Sequence, residues 1–199
     1  MQFAIFRLRR KILADFPQRA IHKTVATHLK KTAEIEFNDI AKLKKYGFSG
    51  FKSVSELIAE PNILPTQMGI YLVLNPTNKK PEFLEKGVGG FFKGRNPNIS
   101  ISDLNKNWVE NSKVVYIGKA GGINRNATLR SRLKQYLRFG QGFNVGHYGG
   151  RLIWQLKNHS DLIFCWLTLT DIEPRELEKK LIAEFVKEFG KRPFANLTG

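Results

Sequence analysis

The stretch VVYIGKAGG, Val114 to Gly122, delivers a phenol and an ammonium, Tyr116 and Lys119, into a glycine-rich loop. An earlier apolar segment, MGIYLVL, carries a second phenol, so the triplets Gly69-Ile70-Tyr71 and Tyr116-Ile117-Gly118 stand in order along the chain. Further on, Arg132 and Tyr136 are four residues apart in TLRSRLKQYLRFG, a spacing that puts both on one face of a helix. These residue types suit work on an anionic ester. Arginine offers a permanently charged planar fork matched to phosphate oxygens. An ammonium lowers the pKa of a neighbouring phenol, which otherwise sits at about 10, and a depressed phenol is a general base for water. Hydrolysis of a phosphodiester also needs a cation against the charge growing on its oxygens and help for the departing alkoxide. The bland reading is that strands end in glycine and carry tyrosine for packing.

The elements that must position these groups follow from periodicity. MGIYLVL (Met68–Leu74) and VVYIG are expected as strands, the first buried on both faces. A helix over TLRSRLKQYLRFG is expected to stop at Gly140. RLIWQL and DLIFCWLTL read as a third and a fourth strand, the latter central because it is apolar throughout. EPRELEKKLIAEFVKEFG reads as a helix with Pro174 in its first turn and a stripe of Leu177, Leu181, Ile182, Phe185 and Phe189. Residues 1–65 read as a basic helical extension, with Ile12, Leu13, Phe16, Val25, Leu29, Ile40 and Leu43 at helical spacing. Within it Ser53 and Glu56 form a capping-box pattern that Pro61 ends. Residues 66–199 form the main domain. Residues 75–113, rich in Asn, Pro, Gly and Lys, read as an inserted loop with a short helix at SDLNKNWVE.

Composition limits the partners. Among 199 residues, 42% hydrophobic and 12% aromatic indicate a globular chain, while 33 Lys+Arg against 17 Asp+Glu favour a polyanionic partner. Residues 1–50 hold eleven basic and four acidic residues. The N-terminal MQFAIFRLRRKILADF lacks a long apolar core and a small-residue cleavage site, so a helix of the folded protein is expected there, not a membrane anchor. One cysteine, Cys165 in LIFCWLTL, excludes a disulfide framework and a cysteine-based zinc site, and fits a buried thiol in a cytoplasmic protein. The four histidines show no paired metal-ligand spacing.

The ordered set of Gly69-Ile70-Tyr71, Tyr116-Ile117-Gly118 followed by Lys119, and Arg132 with Tyr136 resembles the signature of the GIY-YIG nuclease family. Leu177-Glu178-Lys179-Lys180-Leu181-Ile182 resembles that family's metal-site helix, and Asn196 in RPFANLTG its C-terminal asparagine. The resemblance spans Gly69 to about Asn196. It implies a small α/β (α+β) domain with a central three-stranded antiparallel sheet flanked by helices. It departs in spacing: Tyr71 and Tyr116 lie 45 positions apart where compact members have a short hairpin, which makes Asn75–Lys113 an insertion. Smaller expansions lie between Lys119 and Arg132 and between Glu178 and Asn196.

The resemblance implies Tyr71, Tyr116, Lys119, Arg132, Tyr136 and Glu178 as catalytic residues, with one Mg²⁺ (or Mn²⁺) held by Glu178, water and phosphate supplying the other ligands. Glu176 and Glu184 compete for the metal role. Either Tyr71 or Tyr116 is the base; Tyr71 is preferred, with Tyr116 and Tyr136 orienting water and phosphate. Asn196 either braces the metal helix or contacts the phosphate. Arg125, Arg130, Lys134 and Arg138, clustered around Arg132, and Arg151 are expected to grip DNA phosphates. His147 is either a supporting or leaving-group acid or an ordinary loop histidine. Phe91 and Phe92 either anchor the insertion or stack on bases. GVGGFFKG lacks the order of a phosphate-binding loop and is set aside. The expectation is a metal-dependent endonuclease acting on DNA, less so RNA, as monomer or homodimer, without membrane association. The alternative is a nucleic-acid-binding protein without catalysis on the same fold.

Overall fold

The computed structural model describes residues 35–77 and 79–197, so the basic segment from Phe3 to Lys11 lies outside the described residues. In order, the described elements are α1 (Ile40–Tyr46), β1 (Ser49–Ser53), α2 (Val54–Ala59), β2 (Met68–Leu74), α3 (Ile101–Asn107), β3 (Val114–Ala120), α4 (Leu129–Gly140), β4 (Ile163–Leu169) and α5 (Pro174–Phe189). The fold is mixed α/β with an antiparallel sheet in the order β1-β4-β2-β3. The apolar runs of β2 and β4 take the two inner positions, where both faces are covered.

Three expectations are corrected. The sheet has four strands, not three. The extra strand is Ser49–Ser53, inside the segment expected to be helical throughout, and its partner is β4. RLIWQL is not a strand: Arg151–Gln155 winds as a 3-10 helix with Leu152, Ile153, Trp154 and Gln155 all buried. A run apolar on successive residues is read as a buried strand only if its length and neighbours agree, and this one follows two glycines and turns instead.

Side-chain alternation splits the core across the sheet. Tyr71 and Val73 join Tyr116, Leu133, Tyr136, Trp154 and Phe164 on the α4 side. Ile70, Leu72 and Ile117 join Leu177, Leu181, Ile182 and Phe185 on the α5 side. The register shifts between Val73↔Tyr116 and Leu74↔Val114, so Val115 is an extra residue and shares the α4-side core with Tyr116. The helix termini follow the sequence: Ser53 and Glu56 close a capping box at α2, Thr128 and Ser131 another at α4, and Gly190 ends α5 at φ 76.

The insertion is a packed structure. Phe83 stacks on Phe194 at 5.7 Å and meets the edge of Trp108 at 6.1 Å. Gln155, 1% exposed, ties the insertion down: its amide donates to the carbonyls of Leu84 (3.2 Å) and Ile99 (3.0 Å) and accepts from the Ile99 N–H (2.9 Å). Gln155→Ala would strand these backbone groups and lower the unfolding free energy by about 3 kcal/mol, read by urea titration. A change below about 1 kcal/mol would show that the insertion does not depend on this side chain.

Candidate active site

The β2–β3 register sets Tyr71 opposite Gly118 and Val73 opposite Tyr116, so the two tyrosines are diagonal neighbours on the α4 side. Their ring centroids are 5.9 Å apart, and α4 lays Tyr136 against both, at 6.3 Å from Tyr71 and 5.8 Å from Tyr116. The glycines of both triplets have steric work to do. A Cβ on Gly118 would fall on the Tyr71 ring, 2.6 Å from its Oη, and 2.8 Å from Tyr116 Cε1. A Cβ on Gly69 would overlap the Leu167 carbonyl and come within 2.9 Å of Leu129 Cδ1, where α4 starts.

Burial governs the phenols. Tyr71 is 1% exposed, Tyr136 0% and Tyr116 8%. Desolvation raises Tyr71 and Tyr136 well above the usual phenol range and pushes Tyr116 up to about 12. Their mutual influence raises Tyr71 and lowers Tyr116, so of the two phenols Tyr116 is the easier to ionise. The charges acting on them are Arg132, which lowers both, and Glu178, which raises both. Lys119 lowers Glu178, and both phenols are raised by burial, so the expected ammonium-depressed tyrosine is not formed. Burial tells against Tyr71 as the base: it is fully enclosed, and desolvation holds its pKa well above the usual phenol range.

Tyr136 is committed as well. Its hydroxyl donates to the Gly150 carbonyl at 2.5 Å, and Gly150, at φ 74, lies so close that a Cβ would reach 2.9 Å from the Tyr116 ring. Tyr136 therefore holds the 147–150 loop over Tyr116 and does not orient water or phosphate. His147 in that loop is 0% exposed and stacks on Tyr136 at 3.9 Å with ring planes 15° apart. Among the described residues neither of its nitrogens has a hydrogen-bond partner, and burial and Arg132 hold its pKa well below the usual value. It is a neutral imidazole and no reservoir for an acid proton.

Glu178 comes from α5, whose buried stripe packs on the other side of the sheet, and its charge acts on Tyr71 and Tyr116. Its rivals are spent on ion pairs, Glu176 with Lys179 at 3.3 Å and Glu184 with Lys180 at 3.7 Å, while Glu178 makes none among the described residues. Half-burial raises its pKa; Lys119, Arg132 and Arg175 lower it. Arg175 was not anticipated, although its position three residues before Glu178 on the helix was a usable signal. No group of three His, Cys, Asp or Glu that would hold a metal occurs among the described residues. A lone, unpaired carboxylate oxygen nonetheless fits a hard divalent cation that draws its other ligands from water and substrate.

The expected phosphate contacts divide. Arg125 and Arg138 are exposed, and Arg132 is half-buried with one bond, Nη1 to Gln135 Oε1 at 3.2 Å. Lys134 reaches Asn62 Oδ1 at 3.1 Å, and Arg151 stacks on Tyr148 at 4.1 Å. Arg130 clamps the carbonyls of Leu64 (2.8 Å) and Asn62 (2.7 Å) and is a structural brace. Asn196 is likewise no phosphate contact: its amide accepts from the Ile117 N–H at 2.9 Å and donates to the Ile117 carbonyl at 2.8 Å. Glu173, also unanticipated, receives the Ile123 N–H at 3.0 Å and secures the loop after β3. From residue 111 to residue 160 the chain has nine Lys or Arg and no Asp or Glu. Among the described residues no helix is long and apolar enough to cross a membrane. No family model, curated protein or solved structure matches this chain.

Because the folded pKa of His147 is depressed, the unfolded chain takes the proton first. The stability His147 contributes is present above about pH 6.5 and is lost as pH falls towards its folded pKa. His147→Phe keeps the ring stack and removes this part of the acid loss, with His159 unchanged in both proteins. Parallel stability curves between about pH 7.5 and 5, measured by urea unfolding, would refute the assignment.

Proposed function

We propose that this chain is a GIY-YIG-type endonuclease that hydrolyses phosphodiester bonds in DNA. The observation that carries the reading is the convergence of groups from four elements, Tyr71 from β2, Tyr116 from β3, Arg132 from α4 and Glu178 from α5, with Arg132 and Glu178 both acting on the two phenols and Arg132 on Glu178. A packing cluster of tyrosines has no use for an unpaired half-buried carboxylate and a half-buried guanidinium at its rim.

Tyr116 is assigned as the base. Of the three phenols it is the most exposed, and the neighbouring Tyr71 lowers its pKa. Its phenolate takes a proton from the attacking water; the water oxygen bonds to phosphorus, and the ester oxygen departs and is protonated by solvent. Arg132 holds non-bridging oxygens through its free donors. Lys119 and Arg175 supply further positive charge beside Glu178. Glu178 would hold Mg²⁺ or Mn²⁺, and a cation bound there would offset charge on the phosphate oxygens and cancel the carboxylate field that raises Tyr116. Tyr71 and Tyr136 are positioning residues. One such site makes one nick, so cutting both strands takes two copies or two encounters.

The test is cleavage of supercoiled plasmid in Mg²⁺, Mn²⁺ or EDTA. Wild type is expected to nick the plasmid, with EDTA abolishing the reaction. Glu178→Gln, Arg132→Ala and Tyr116→Phe should each slow it by about 100-fold or more while retaining DNA binding. Wild-type protein that binds DNA yet leaves DNA and RNA intact with every metal would replace this reading by a binding module.

A further inference from the structure

Two phenylalanines stand in water where the insertion meets the turn after α4. Phe91 is 52% and Phe143 47% exposed, an unusual state for residues that ordinarily fill cores. Neither is on a loose loop. Gly90 donates to the Phe139 carbonyl at 2.9 Å, and its Cα lies directly against the Phe143 carbonyl, where no side chain would fit. Beyond Phe91, a turn through Lys93 (φ 55) and Gly94 (φ 70) closes with the Gly94 N–H on the Phe91 carbonyl at 3.1 Å. Phe143 is fixed by its N–H on the Arg138 carbonyl at 3.1 Å and by Val145 N–H on its own carbonyl at 2.8 Å. The pair expected at 91–92 thus splits: Phe92, half-buried against Gly146, anchors the insertion, and Phe91 does not.

The surroundings of the two exposed rings are cationic. The Arg138 guanidinium lies over the Phe143 ring at 4.9 Å, the Lys93 ammonium over Phe92 at 5.5 Å, and Arg95 is exposed beside them. Residues 86–98 and 111–160, which build this surface, contain no acid. It continues into the candidate active site: Tyr148 donates to the Asn96 carbonyl at 3.0 Å, and the same loop carries Gly150 over Tyr116.

From this placement we infer that Phe91 and Phe143, with Arg138, Lys93 and Arg95, form a platform for unpaired bases of a nucleic acid. The inference deepens the nuclease reading and rests on it for the substrate: the reaction is directed to bulged, gapped or splayed sites. A duplex shows only base edges and phosphates to such a surface, whereas an unpaired base offers a face to the ring while its flanking phosphates meet the cations. Because the backbone beneath both rings is already fixed, stacking orders only the side chains.

Binding is measured in EDTA, so the outcome is independent of cleavage. Fluorescent DNA duplexes, fully paired or with a three-nucleotide bulge, are titrated with wild type, Phe91→Ala/Phe143→Ala and Arg138→Ala. The bulged duplex is expected to bind about 10-fold tighter, with 2-aminopurine in the bulge changing its fluorescence on binding. The double Phe variant should lose that preference and the fluorescence change, whereas Arg138→Ala should weaken both duplexes and flatten the salt dependence. Both substituted rings are exposed, and an unchanged melting temperature verifies folding. Equal affinity for the two duplexes, or a preference that survives the double substitution, overturns the inference. Nicking of plasmid with no bulge preference removes the platform alone; bulge preference without cleavage removes the nuclease alone.

Discussion

A tyrosine ring can lie across a neighbouring strand only where that strand carries no side chain, and in this chain the place is Gly118. Laid over it, the Tyr71 ring comes within 5.9 Å of the Tyr116 ring, centroid to centroid. Tyr136 then closes the triangle from α4, and its hydroxyl draws in Gly150 and with it the loop that covers Tyr116. Every later feature of the site depends on this stacking of rings about one missing methyl group. Burial makes the arrangement rigid and also makes it electrostatically demanding, since enclosed phenols resist ionisation.

That demand explains the charges at the rim. The low-dielectric ring cluster would hold Tyr116 as a phenol; Arg132 opposes this, and Glu178 works against Arg132. Glu178 is in turn raised by its own burial and lowered by three cations. The site therefore holds a carboxylate, three cations and a buried phenol in partial mutual compensation. Such an arrangement answers strongly to any anion or cation that enters it.

Much of this was legible from residue types and order. Both tyrosine-bearing strands, the capped helices α2, α4 and α5 and the buried Cys165 follow from apolar runs and terminal residues, because local pattern and global fold agree there. The error at RLIWQL arose because a fully buried 3-10 turn and a fully buried strand leave the same apolar pattern. Strand β1, SGFKS, was hidden by its partly polar composition and its brevity; pairing with β4 supplied what propensity did not. At the site, identities were readable but employment was not. Tyr136, Arg130 and Asn196 have the chemistry of substrate-facing groups, and only the positions of the Gly150, Leu64 and Ile117 backbone atoms show that they are already engaged.

The pairing of Asn196 with Ile117 carries a consequence for the order in which the molecule is made. β3 is an outer strand, and besides the amide of Asn196 its free edge receives the Ala195 N–H on the Val115 carbonyl at 2.9 Å. Tyr116 lies between these two attachments. On a ribosome the tyrosines, the arginine and the glutamate are all synthesised before residues 195 and 196, so for that interval the strand bearing Tyr116 has open backbone groups. Until then the strand that bears Tyr116 is held along one edge alone, by its pairing with β2.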